Sequence, residues 1–400
     1  MIFCGGSKLE ALSFALLPVL SVRAQLTRES QIREASRYCQ LYGAINLAQG
    51  LPDFPAPTAL KESAQRAIAQ DCNQYADTWG LAELRIAIAD KMQKYNQIAV
   101  DPDRQITVCC GATEGLNIAL MSLIDSGDRV LLFEPFYENY LPNLVTVGGV
   151  PVFVKLEPPD WRVYREQLQP VFASGIKAVI LNTPANPTGK VWSYAELSVI
   201  AELCCEYDVY AITDEIYEYI IYAGQHISLM SLPDMAERTI TVNGFSKTFC
   251  VTGWRLGYTV ASPALTSAMR RIHDFITICA PAPLQYAALT AMEFGEAYFQ
   301  ALAEDYRRKR DLLFPILEKI GLQPVLPHGA YYIWTESRAI APNASLASAI
   351  LAKDYGVAVV AGNCFSDPQR PPDTVQGLRF CFAKKDSTII EAVSRLERLL

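Results

Sequence analysis

The stretch Thr241–Tyr258, T-V-N-G-F-S-K-T-F-C-V-T-G-W-R-L-G-Y, decides how the chain is read. Its lead-in, Thr239 to Val242, is β-branched at every position and predicts a buried strand. A strand that runs straight into Asn243-Gly244-Phe245-Ser246-Lys247-Thr248 delivers Lys247 at the carboxyl edge of a sheet. That edge is where open α/β sheets bind ligands. Eight residues on, Arg255 stands between Gly253 and Gly257, whose missing side chains let the backbone approach a ligand closely. A lysine, an arginine and a serine beside Gly-rich turns point to a carbonyl compound that carries a phosphate. Lys247 is then the Schiff-base amine, and Ser246 and Arg255 hold the anion.

Further strands reach the same edge. Gln105 to Cys109 predicts a strand that turns through Gly111-Ala112-Thr113-Glu114-Gly115 into a helix over Leu116 to Ile124. Backbone N–H groups at such a helix start face an anion, here those of Ala112 and Thr113. The strand Val130 to Phe133 ends in Glu134-Pro135-Phe136-Tyr137. An aromatic there can stack on a flat ring, and Tyr137 takes that place while Phe136 goes to the core. Lys177 to Leu181 leads into Asn182-Thr183-Pro184-Ala185-Asn186-Pro187-Thr188-Gly189, and Val209 to Thr213 delivers Asp214-Glu215-Ile216-Tyr217. Strand–helix alternation from Gln105 to Ser262 implies a mainly parallel sheet with helices on both faces.

These segments resemble the class I and II aminotransferases, pyridoxal-phosphate enzymes of fold type I. Their signature S-K-x-x-x-x-x-G-x-R-x-G is met at Ser246, Lys247, Gly253, Arg255 and Gly257, and N-x-P-x-N-P-T-G at 182–189. Gly50-Leu51-Pro52-Asp53-Phe54-Pro55 resembles the G-x-P-D-F-P segment that lines the substrate entrance. The resemblance implies a large α/β domain, a smaller α+β domain and the cofactor pyridoxal 5′-phosphate. It also implies a role for each matching residue. Lys247 holds the cofactor, Asp214 pairs with its pyridine nitrogen, and Tyr217 and Asn186 reach its phenolic oxygen. Arg379, in Gly377-Leu378-Arg379-Phe380, forks onto the substrate carboxylate, which Asn186 also touches. Tyr75 crosses a dimer interface to the partner's phosphate, which implies a homodimer.

Within the family the match is nearest the kynurenine/glutamine and methionine group, through 73–75, 225–228, 252–254 and 379–385. Several members of that group have lysine where Arg255 stands; either keeps a cation for the phosphate. Sulfur-containing, aromatic or glutamine-type amino acids are therefore the expected substrates, with a 2-oxo acid as acceptor. A β-lyase acting on cysteine conjugates would use the same lysine and the same electron sink. Aspartate would need a second cation, which no motif supplies. A regulator of this fold would need a winged helix ahead of it, and only about thirty residues precede the resemblance.

The resemblance divides the chain into an extension (1–25), a small domain built from 26–56 and 291–400, and a large domain over 57–290. Helices are predicted at Gln31–Tyr42, Thr58–Ala69, Ala195–Glu206, Ser345–Tyr355 and Ser387–Leu400. The second domain's strands are Gly329–Thr335, Val357–Ala361 and Leu378–Ala383, and the Pro-rich loop Ser366–Thr374 is expected at the surface. A net charge of −7 with scattered signs argues against a nucleic-acid partner. The eleven cysteines include no C-x-x-C and lie mostly in apolar runs, so buried thiols in a reducing cytoplasm are expected. His226, His273 and His328 are too scattered to suggest a zinc cluster, and no metal is expected. Leu9 to Leu20 is apolar, but Glu10 and Pro18 interrupt it and it is too short to span a bilayer. An arm on a partner subunit, or an upstream start codon, explains it better than secretion.

Overall fold

A computed structural model describes residues 21–27, 29–371 and 375–400. The Leu9–Leu20 reading falls outside them. The strands, numbered along the chain, are β1 (Ile45–Asn46), β2 (Ile106–Cys109), β3 (Arg129–Glu134), β4 (Val150–Lys155), β5 (Ala178–Asn182) and β6 (Tyr210–Asp214). They continue with β7 (Thr239–Gly244), β8 (Gly257–Val260), β9 (Tyr332–Glu336), β10 (Val357–Ala358), β11 (Val360–Ala361) and β12 (Gly377–Cys381). Seven form one sheet in the order β2-β8-β7-β6-β5-β3-β4. Within it β8 alone runs antiparallel to its neighbours. Its central strands β5 and β7 are buried at every residue, which is why they read as continuous apolar or β-branched runs instead of alternating ones.

Helices cover the sheet where the sequence supplies caps. The helix Tyr194–Glu206 starts with a capping box in which Ser193 and Glu196 satisfy each other's backbone N–H groups. The helix Gln31–Tyr42 is capped by the Ser30 side chain and closed by Gly43 in the left-handed region. A second layer holds the antiparallel sheet β11-β12-β9 and the parallel pair β1-β10. Because Ile45 pairs with Val357, residues near the start of the chain are built into the same unit as its C-terminal part.

Three expectations change. The run Val357–Ala361 is two strands broken at Val359, because its first half pairs with β1 and its second with β12. The helix expected from Leu116 begins at Ala112, capped by Gly111 at φ +80°; the polar Thr113-Glu114 pair had hidden its first turn. The loop after Phe365 is not wholly at the surface. The Phe365 carbonyl accepts from the Phe136 N–H at 3.0 Å, Ser366 is buried, and Arg370 donates to Glu134 at 2.9 Å. Of the ten described cysteines, all free, four are buried and six only half-buried. No helix among the described residues is long and apolar enough to cross a membrane.

Candidate active site

The carboxyl ends of β5, β6 and β7 open onto a cleft of about 1290 Å³. Gly50, Ala112, Thr113, Tyr137, Asn186, Asp214, Tyr217, Ser246, Lys247, Arg255 and Arg379 all line it. Residues as distant in sequence as Gly50 and Arg379 thus share one wall. Tyr75 does not join them; it lies elsewhere, 78% exposed.

Lys247 follows β7 in a tight turn and is half-buried in the cleft. Its Nζ donates to the Gly50 carbonyl at 3.1 Å, and Tyr217 and Tyr331 present their rings about 6 Å away. Burial pulls the amine down from 10.5 to about 8, with Arg379 and Arg255 adding to the effect against Cys381 and Asp214. A substantial neutral fraction of this amine is available near pH 8, which suits attack on a carbonyl.

On one side stands a cradle for an anion. Ala112 and Thr113 open their helix, so their N–H groups have no intrahelical acceptor. Ser246 is buried beside them, and Arg255 is held at φ +51° with Nη1 donating to the Thr252 carbonyl at 3.0 Å. Glycine is required twice here. A Cβ on Gly111 would lie 2.4 Å from Arg255 Nη2, and one on Gly257 would lie 2.7 Å from the Ala112 nitrogen. Of the two glycines flanking Arg255, Gly257 makes a close approach, to the Gly111–Ala112 backbone, whereas a Cβ on Gly253 would meet open space; it is Gly111 that makes room for the guanidinium.

On the other side Asp214 ends β6. Its Oδ2 accepts from Tyr140 Oη at 2.7 Å, and burial pushes its carboxyl above the usual range although Tyr140 and the Ile216 N–H pull it down. Tyr217, pushed up by burial, remains a phenol and lies 3.0 Å from Tyr332 Oη. Tyr137 lines the cleft and meets Tyr140 edge to face, while Phe136 packs in the core against Phe153, as expected of Phe136.

The third wall carries Arg379, 1% exposed. Nη1 donates to Asn186 Oδ1 at 2.7 Å and Nη2 to the Ala48 carbonyl at 2.6 Å, with Tyr332 and Phe365 against the guanidinium. Its Nε is buried without a hydrogen-bond partner, which leaves a donor free for an anion. Together these groups fit a flat, phosphate-bearing carbonyl cofactor: an amine, an anion cradle, a ring-facing aromatic and a carboxylate surround one space.

Sequence reading missed several lining groups. Tyr140 and Tyr332 belong to no motif and matter only through their partners Asp214, Tyr217 and Arg379. Arg33 and Arg370 also line the cleft, cations that motifs did not foreshadow. Beneath the sheet edge, ligand atoms of Glu215, Glu218 and His226 lie within 4.8 Å of one another. Thr213, Ser228, Lys91 and Asn243 already donate to those carboxylates.

A lysine at the carboxyl edge of such a sheet, between an anion cradle and a buried carboxylate, marks an enzyme of carbonyl–amine chemistry. Residues 42–396 match the family model for aminotransferase class I and II. Methionine aminotransferase of Escherichia coli (strain K12) is 34% identical over 368 residues, 92% of this chain and 95% of its own. Human kynurenine–oxoglutarate transaminase 3 is 35% identical over 374 residues, 86% of this chain and 82% of its own. The solved N-succinyldiaminopimelate aminotransferase of Mycobacterium tuberculosis superposes with a TM-score of 0.91 at 33% identity, covering 96% of this chain and all of that one. The chain belongs to the class I and II aminotransferases, and its activity is transamination.

Proposed function

We propose that the enzyme moves the amino group of a sulfur-containing, aromatic (kynurenine-type) or glutamine-type L-amino acid to a 2-oxo acid, with pyridoxal 5′-phosphate on Lys247. The observation that carries this is the position of the Lys247 amine, between the cradle at Ala112, Thr113, Ser246 and Arg255 and the carboxylate of Asp214. The cofactor, when bound, supplies an electrophilic carbonyl and an electron sink. Ser246, Arg255 and the two helix amides would hold its phosphate, Tyr137 its ring face, Asp214 its ring nitrogen, and Asn186 with Tyr217 its phenolic oxygen.

The chain's own groups then do the work. Arg379 forks onto the substrate α-carboxylate with Asn186 beside it, fixing which bond at Cα faces the lysine. Once freed by the incoming substrate amine, the Lys247 amine would move the proton from Cα to the cofactor's C4′, the depressed pKa keeping it competent as a base. The buried rings of Tyr217 and Tyr331, about 6 Å from Nζ, give the amine an apolar flank that favours its neutral form.

The same reading has two subunits share each site, the partner subunit's Tyr75 reaching the phosphate. Consistent with it, Tyr75 is 78% exposed and Phe275 93% exposed in the single chain, so both rings are free to meet a partner. It also divides the chain into a large domain (57–290) and a small one (26–56 with 291–400), and places the enzyme in the cytoplasm.

The test is an anaerobic half-reaction of the yellow enzyme with methionine, kynurenine, phenylalanine, glutamine and aspartate in turn, no 2-oxo acid being present. Conversion to the pyridoxamine absorbance with the first four ahead of aspartate is expected. Preference for aspartate would overturn the substrate class. If no amino acid bleached the yellow form while a cysteine conjugate gave pyruvate and ammonia, the enzyme would be a lyase.

A further inference from the structure

A fully buried histidine ties the helix of the anion cradle to the segment that carries Tyr75. Glu114 lies in the first turn of the Ala112–Leu123 helix and is 8% exposed. One of its oxygens accepts from the Cys110 N–H; the other accepts from Thr277 Oγ1 and lies 2.6 Å from His273 Nδ1. The opposite ring nitrogen, Nε2, lies 2.7 Å from the Thr78 carbonyl. A carbonyl oxygen only accepts, so Nε2 bears a hydrogen and donates. Two bare lone pairs would repel at 2.6 Å, so a proton also lies between Nδ1 and Glu114. Burial opposes charge on both groups, yet their mutual hydrogen bond and attraction leave Glu114 below the usual carboxylate range and His273 above the usual imidazole range. Next to Thr78, Trp79 lies under the Arg270 guanidinium at 3.9 Å, so the segment is clamped from the same helix at two points one turn apart.

We infer that His273 is a positioning residue for the reaction: it fastens the Tyr75-bearing segment to the helix whose amides form the anion cradle. Both parts of the phosphate site, one offered to the chain's own cofactor and one to the partner's, then share a single support. The inference rests on the cofactor and Tyr75 readings proposed above. Its consequence is specific. Loss of the imidazole loosens the grip on the phosphate without touching any group at the reacting carbon.

The experiment compares His273→Ala, His273→Gln and Tyr75→Phe with the unaltered holoenzyme. It measures the dissociation constant for pyridoxal 5′-phosphate, hydrogen exchange over 73–80, and turnover at saturating cofactor. In His273→Ala the constant should rise about tenfold and exchange quicken, while saturated turnover stays within about twofold. His273→Gln, which keeps an N–H for Thr78, should recover part of the loss. It also serves as the test should the alanine variant fail to fold. Unchanged affinity in the folded His273 variants, even with faster exchange, would reduce the histidine to a fold support and overturn the inference. Unchanged affinity in Tyr75→Phe beside weakened His273 variants would instead overturn the reading of Tyr75, leaving the hold on the cradle helix intact.

Discussion

Asp214 and Glu215 are neighbours at the end of one strand, and they live in opposite electrostatic worlds. Glu215 is fully buried under the sheet edge. It accepts from Thr213 Oγ1 at 2.9 Å, Ser228 Oγ at 2.8 Å and His226 Nε2 at 2.9 Å. Burial alone would raise its pKa, but these donors bring it below the usual range. Asp214 points the other way, into the cleft, with one strong donor in Tyr140 and a long contact from the Ile216 N–H, and burial leaves its pKa raised. The alternation of side chains along a strand accounts for the opposite directions. Their partners account for the difference in duty. A carboxylate with both oxygens answered by strong protein donors supports structure, whereas one with fewer donors keeps acceptor capacity that a ligand can use. Glu218, next along, belongs with Glu215, answered by Lys91 at 2.6 Å and by Asn243 at 2.7 Å.

Glu215→Ala is the sharpest way to test this division. It strands His226 and two hydroxyls in the interior, so chemical denaturation should show a loss of about 3–5 kcal/mol. The protein that remains folded should turn over near the normal rate. Asp214→Ala should do the reverse, lowering saturated turnover roughly a hundred- to a thousandfold, as loss of a preorganised electrostatic partner does, while stability holds or improves. If both substitutions damaged stability and turnover alike, the contrast between the two carboxylates would be empty. Tyr140→Phe should have a smaller effect, roughly tenfold or less on turnover with the amino-acid KM little changed, because it removes a single hydrogen bond to a charged acceptor.

A fourth prediction concerns Lys247, whose burial favours the neutral amine. Protein stripped of cofactor and offered pyridoxal 5′-phosphate should regain colour faster as pH rises, with a midpoint near 8, well below the 10.5 of a free lysine. A midpoint near 10.5 would mean that the cleft does not tune the amine.

The parts of this site legible in sequence were those fixed by backbone geometry: a β-branched run that must be a buried strand, and Gly257, where the backbone does pass too close for a side chain. Gly253, read the same way, faces open space, and that Gly111 makes room for the Arg255 guanidinium was not legible. Hidden were the residues that act through a partner's side chain. Nothing local in Tyr140, Tyr332 or His273 announces Asp214, Arg379 or Glu114, since each pair is joined only by the packing of distant elements. Backbone breaks that depend on partners were hidden as well. Val357–Ala361 reads as one strand because its apolar pattern is unbroken, and only the arrival of β1 on one half and β12 on the other divides it. The Ser366–Arg370 turn reads as solvent-facing from its prolines and charges until Glu134 is seen waiting for Arg370.

The central claim, that the chemistry is hung on Lys247, has a direct test. Purified yellow enzyme would be reduced with borohydride, digested and mapped by mass spectrometry. The account predicts a pyridoxyl phosphate adduct on the peptide carrying Lys247 and on no other lysine. An adduct elsewhere, or none on a coloured enzyme, would contradict it.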